Sequence, residues 1–198
     1  MKSMIYNRNA VKIFLFLLII LGSQNSLAQD NLSPTTIKSL NKVKLTFLGI
    51  GLERERKIGK LSSIYAGVSM DAVFPFEADY RPNRSDALSL GSFIAFTPII
   101  YSGFRKYYNL VDRSKDNRKT KNNSAEYFGF EIDAIAPIDS EEGEFKTSWT
   151  MSFAPQWGLQ RNISKNTNLE FTLGPALKTN FDKTKIFPFG RFGLSFLL

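Results

Sequence analysis

Residues Trp149 to Leu159 read WTMSFAPQWGL. At every second position one face carries Trp149, Met151, Phe153, Pro155, Trp157 and Leu159. The other carries Thr150, Ser152, Ala154, Gln156 and Gly158. A two-residue period with one apolar face and one small, polar face is the pattern of a half-buried β-strand. The two tryptophans share the apolar face, and at roughly 3.3 Å per residue they stand about 26 Å apart along the strand. A strand tilt of about 35–45° lowers the vertical separation to about 20 Å, close to the apolar band of a transmembrane barrel between its aromatic girdles.

The same alternation recurs on both sides of this stretch. A strand is expected from Val43 through VKLTFLGIGLERER, with Leu48, Ile50 and Leu52 opposing Gly49, Gly51, Glu53 and Glu55, and a tight turn at Lys57 to Lys60. A second strand sets Ile64, Ala66, Val68, Met70 and Ala72 against Ser63, Tyr65, Gly67, Ser69 and Asp71. Further strands are expected over Phe93 to Tyr108, Tyr127 to Ile135, Leu169 to Lys178 and Arg191 to Leu198. That makes seven with the central one, and closed single-chain bacterial barrels carry an even number. An eighth is therefore expected, within residues 30–42 or 74–92. The fold predicted is all-β: a closed antiparallel up-and-down transmembrane β-barrel of eight strands.

Between these strands lie a long connection from Phe74 to Gly91, a highly charged stretch DRSKDNRKTKNN at 112–123, and an acidic loop at 137–145. Short and long connections alternate, as they do between the two sides of an outer-membrane barrel. That alternation puts the C-terminus in the periplasm and makes the length of 112–123 anomalous, since it falls on the same side. The stretch itself reads as a hydrated, flexible loop.

The first residues read as a secretory signal. Lys2, Arg8 and Lys12 precede the apolar run VKIFLFLLIIL, and Ser26-Leu27-Ala28 offers small residues for cleavage after Ala28. The domain layout expected is a signal peptide over 1–28, an exposed lead-in over 29–42 and the barrel over 43–198. Removing the three signal cations lowers the formal charge from +8 to about +5. The basic residues form no stripe and interleave with no aromatic platform, so nucleic acid is not an expected partner.

Alternation alone does not say which face is buried, because a soluble lipocalin-like barrel holding an apolar ligand has the same period. Three features favour an apolar exterior. Glycines populate the polar face, at 49, 51, 67, 103, 129, 158, 174 and 193, where a solvated exterior would favour better strand formers. The polar face carries both charge signs at strand depth. Glu53, Asp71, Arg105, Glu131, Asp133, Glu170, Lys178 and Arg191 are the candidates for an ion-pair network filling a narrow lumen, since buried charges must be paired. Aromatic residues near strand ends, among them Trp149, Trp157 and Tyr108, are candidate girdle anchors. Pro98, Pro155 and Pro175 stand inside strands and predict bulges or kinks there.

The chain contains no His and no Cys, which removes Ser-His-Asp hydrolysis, thiol chemistry, disulfides and zinc–thiolate sites. No phosphate-binding or dinucleotide fingerprint is present. The carboxylate pairs Glu53/Glu55 and Glu131/Asp133 could in principle do acid–base work or hold a cation, but lumen salt bridges to Arg105, Arg191 or Lys178 account for them more simply. No catalytic residue, metal or cofactor is expected, and no enzymatic activity.

Several short stretches resemble a family of small outer-membrane β-barrel proteins of Bacteroidota. They are Gly51-Leu52-Glu53-Arg54-Glu55 before a tight turn, Thr97-Pro98 leading to Gly103-Phe104-Arg105-Lys106-Tyr107-Tyr108-Asn109, Trp157-Gly158-Leu159-Gln160-Arg161, and Leu173-Gly174-Pro175. The resemblance covers most of residues 43–198 and brings no catalytic residues with it. Its ending, Phe196-Leu197-Leu198, departs from the terminal Phe common in outer-membrane barrels. The function expected is that of an outer-membrane barrel with a side-chain-filled lumen, in a structural or surface-interaction role. Its expected partners are the outer-membrane lipid bilayer and the outer-membrane assembly machinery.

Overall fold

In the computed structural model the structure describes residues 35–73, 95–137 and 148–198. The expected signal segment, the connection from Phe74 to Gly91 and nearly all of the acidic loop lie outside the described residues. The strands are β1 (Leu40–Thr46), β2 (Gly49–Lys57), β3 (Ser62–Val73), β4 (Ala95–Tyr107), β5 (Glu126–Ile135), β6 (Thr150–Ser164), β7 (Thr167–Thr179) and β8 (Thr184–Leu197). One short helix, α1 (Leu110–Lys115), and a 3-10 turn at Lys121–Asn123 lie between β4 and β5. Each strand pairs antiparallel with its sequence neighbours, and β1 pairs with β8 from Lys42↔Leu197 to Thr46↔Gly193. The result is a closed, eight-stranded, up-and-down β-barrel, as the alternation predicts.

The eighth strand comes from splitting the first. The stretch from Val43 to Arg56 is two strands joined by a tight turn at Phe47-Leu48, not one. β1 starts at Leu40, three residues before the expected beginning of the barrel. The turn carries no Asn, Asp, Pro or Gly at its two central positions, so it lacks the usual hairpin signal. The sequence does mark it in another way. Val43, Leu45 and Phe47 are apolar at odd positions, whereas Leu48, Ile50 and Leu52 are apolar at even ones. Side chains alternate strictly along a strand, so this change of phase requires the chain to reverse or bulge.

The prolines interrupt hydrogen bonding without shifting register. Between β6 and β7 the pairing runs to Phe153↔Leu177 and resumes at Trp157↔Leu173 in the same register. Pro155 and Pro175 face each other across the gap, so neither side has an amide hydrogen to offer. The one bulge in this ladder lies elsewhere, between Asn162 and Ser164. Pro98 stands where the β4–β5 ladder ends, and its carbonyl accepts from the Ala136 amide at 3.0 Å.

The distribution of residue types is inverted relative to a water-soluble protein. Inward positions hold Lys42, Glu53, Glu55, Arg105, Glu131 and Asp133, all buried. Outward positions hold exposed Ile50, Ile64, Phe96, Ile100, Phe128 and Ile186. Glycines on the inward face make room for tyrosine rings on the neighbouring strand. A Cβ on Gly67 would sit 2.4 Å from Tyr101 Cζ, one on Gly103 2.5 Å from the Tyr65 hydroxyl, and one on Gly158 2.4 Å from Tyr127 Cζ.

Candidate functional site

Two groups of charges fill the lumen. The first is built by β1, β2, β4 and β7. The Arg105 guanidinium grips Glu53 with two bonds, Nη1 to Oε1 at 2.7 Å and Nη2 to Oε2 at 3.0 Å, and reaches Glu55 at 3.3 Å. Its Cζ lies 3.8 Å from the Tyr65 ring centroid and 5.2 Å from that of Tyr127. Lys42 Nζ contacts Glu53 at 3.2 Å and both Glu55 and Glu170 at 2.9 Å, and donates to Gln160 at 2.9 Å. Lys44 Nζ bridges Glu53 at 3.0 Å and Glu170 at 3.2 Å. The hydroxyls of Ser63 and Tyr107 donate to Glu55 Oε1, and that of Ser195 donates to Glu170 Oε1. Three carboxylates thus meet three cations with no net charge, which is the condition for holding ions out of water at tolerable cost.

The second group lies toward the other end. Arg191 pairs with Glu131 through Nη1 and with Asp133 through Nη2 at 3.4 Å. Tyr65 donates to Glu131 at 2.6 Å and accepts from Gln156 at 2.7 Å. Because the ring of Tyr65 lies under Arg105, this tyrosine ties the two groups together. Asp71 accepts from the hydroxyls of Thr46 at 2.8 Å and Ser69 at 2.7 Å. Lys178 lies over the Phe187 ring at 5.4 Å.

Of the eight charges picked from the sequence, Glu53, Arg105 and Glu170 thus meet in the first group and Glu131, Asp133 and Arg191 in the second. Asp71 and Lys178 line a cavity at the upper rim, outside both ion-pair sets. Sequence reading missed Lys42 and Lys44 as lumen cations, because the lead-in was drawn past one of them and the hairpin was not recognised. Alternation puts Tyr65, Tyr101 and Tyr107 on the polar face, but sequence reading names none of the four buried lumen tyrosines, Tyr65, Tyr101, Tyr107 and Tyr127, as filling the lumen. Tyr65, Tyr101 and Tyr127 stand opposite Gly103, Gly67 and Gly158 on the same face, which was the available signal, whereas Tyr107 stands opposite Tyr127.

The aromatic anchors lie on the outer wall. Trp149 is 53% exposed and precedes β6. Trp157 Nε1 donates to the Tyr108 hydroxyl at 3.0 Å, which donates in turn to Glu126 at 2.7 Å. Tyr108 stacks on Phe128 with ring centroids 5.0 Å apart.

The two ends of the barrel differ. At the end where β1 begins and β8 finishes, the segment 108–125 folds across the opening. Asn123 receives the Lys38 amide at 2.7 Å and donates back to the Lys38 carbonyl at 2.8 Å, imitating a β-bridge with its side chain. The carbonyl of Asn122 accepts from Gln160 at 2.5 Å and Asn168 at 3.0 Å. Both asparagines adopt positive φ, at 55° and 59°, which this residue type tolerates better than most. Ile37, Tyr107, Leu110, Ala125 and Tyr127 form a small apolar core beneath. The charged stretch is therefore not a loop free in water throughout. Its exposed part, around Lys115 and Arg118, leads into a plug, which accounts for its length.

At the opposite end a cavity of about 280 Å³ opens, lined by Asp71, Asp133, Lys178 and Arg191 together with Phe47 and Phe189. Among the described residues no group of three or more acidic side chains is arranged to hold a metal ion. No family model, curated protein or solved structure matches the chain.

Proposed function

We propose that this chain is an outer-membrane β-barrel of the kind it resembles, with a structural or surface-interaction role, a lumen filled by side chains rather than a wide pore, and no catalytic activity. Its partners are the lipid bilayer and the machinery that inserts such barrels. The observation that carries the reading is the inverted wall. Apolar residues stand exposed all round the outside while six ionised side chains neutralise one another inside. In water such a wall would present apolar area far beyond the patches a monomer tolerates, whereas in a bilayer a closed barrel pairs its wall amides strand to strand and shows lipid a compatible surface. An interior occupied by Arg105 and its partners suits an eight-stranded barrel, whose bore is just wide enough for side chains. A lipocalin-like ligand holder would want the opposite polarity.

Vesicle flotation of the refolded chain tests the reading, together with gel mobility before and after heating. Co-flotation with lipid and a mobility that changes on boiling are expected. A chain that stays in the soluble fraction without detergent contradicts the proposal.

A further inference from the structure

The wall is not equally tall all round. β1 has 7 residues and β8 has 14. Their ladder stops at Thr46↔Gly193, with one further bond from the Phe47 amide to the Phe192 carbonyl at 2.9 Å. Above that point β8 is paired to β7 alone among the described residues, up to Thr184↔Thr179. At about 3.3 Å per residue and a tilt near 40°, a strand the length of β1 rises only about 18 Å, short of an apolar band about 25 Å tall. The hairpin tip therefore ends below the top of that band. Its composition agrees: Phe47 is 81% exposed and Leu48 41% exposed. Hairpins that turn in water use Asn, Asp or Gly at such positions, and an apolar pair is at ease only against hydrocarbon. The notch between this tip and β8 leads into the 280 Å³ cavity. Phe47, Leu48 and Phe192 stand at its mouth, and Asp71, Lys178 and Arg191 lie deeper.

The edge of β8 argues against a protein strand as the occupant. The Phe192 carbonyl faces β1, so by alternation the backbone groups of Gly190, Pro188 and Ile186 face the notch. Pro188 has no amide hydrogen, which blunts the edge for strand addition. The amides of Gly190 and Ile186 still need acceptors, which the ester carbonyls of a lipid supply while its alkyl chains need no donors. A cavity of this size is at the small end for ligand sites of about 300–1,000 Å³ and takes a headgroup rather than a whole diacyl lipid. Its charges are of both signs. Among the described residues Asp71 is bonded to hydroxyls rather than to a cation, and Arg191 has donors beyond those given to Glu131 and Asp133. Ser152, buried, stands in register between Asp133 and Lys178.

We propose that the notch is a lateral entry site for one membrane lipid with a zwitterionic phosphate–amine headgroup. Its chains lie between the hairpin tip and β8, its phosphate meets Lys178 and Arg191, and its ammonium meets Asp71. The inference rests on the membrane reading above.

The test is native mass spectrometry of the full chain released from a neutral glucoside detergent after incubation with phosphatidylethanolamine, phosphatidylglycerol or diacylglycerol of the same chains. One retained phosphatidylethanolamine per barrel is expected, with markedly less of the other two. Lys178→Gln lowers that affinity roughly tenfold, the scale of one charge-assisted hydrogen bond. Lengthening the β1–β2 hairpin by two residues on each side of Phe47-Leu48, so that it zips along β8, abolishes retention while heat-modifiable mobility persists. Equal retention of the three lipids, no retained lipid, or retention indifferent to both variants overturns the proposal. A barrel that floats with vesicles yet fails here leaves the membrane reading standing, whereas one that does not float fails that reading instead.

Discussion

The plugged end and the notched end of this barrel are made of the same alternating strands but are closed by different means. At the plugged end every wall strand has a neighbour, and a chain segment laid across the opening supplies side-chain amides to Lys38 and Lys165. At the notched end, among the described residues, the wall itself is cut short beside β8. The comparison shows that alternation sets which way side chains point, while turn position and strand length set where the lumen is sealed.

Three substitutions sharpen this contrast. The largest effect is expected from Arg105→Glu in the sealed half. It replaces a guanidinium that touches both Glu53 and Glu55 with a further carboxylate beside them. Leaving buried charges unpaired costs on the order of 3–5 kcal/mol, read as a lowered midpoint of urea unfolding in lipid or detergent. An unchanged midpoint would remove Arg105 from any structural role. A smaller loss, about 1–3 kcal/mol, is expected from Asn123→Ala, which leaves the Lys38 amide and carbonyl without their partner. Faster proteolysis at residues 35–39 should accompany it, and if cleavage there does not change, the plug does not depend on this side chain. Least is expected from Lys178→Gln, which lines the cavity outside both ion-pair sets. A stability change within about 0.5 kcal/mol should result, and a loss comparable to that of Arg105→Glu would mean the two ends are not energetically distinct.

The parts of this architecture that were legible in the sequence are those encoded by local period. β3, β6 and β7 announce themselves because their apolar residues recur at every second position, and the inward face could be told from the outward one by its glycines and mixed charges. The Phe47-Leu48 turn was missed because its residues are apolar, as a turn meeting hydrocarbon would be. The change of phase from Phe47 to Leu48 was the remaining clue. Missing that turn hid Lys42 and Lys44, and so left three acids of the first group with one visible cation. The plug was illegible for a different reason. Asn122 and Asn123 sit at the end of a strongly charged run that reads as solvated, and their partners, Lys38, Gln160 and Asn168, are far away in sequence. Nothing periodic connects them. The prolines were expected to bend or bulge their strands. Pro155 and Pro175 instead face each other, so both missing donors fall on one gap and the register on either side is kept.

Whether lipid or water touches the outer wall decides what kind of barrel this is. Trp149 and Trp157 are the chain's two tryptophans and both belong to that wall. Their fluorescence in vesicles containing phospholipid brominated along the acyl chains is therefore the most direct measurement. Strong quenching by the brominated lipid, with little by iodide in the surrounding water, is the result expected. Emission untouched by the bromine but quenched by iodide would mean that water, not lipid, wets the apolar face.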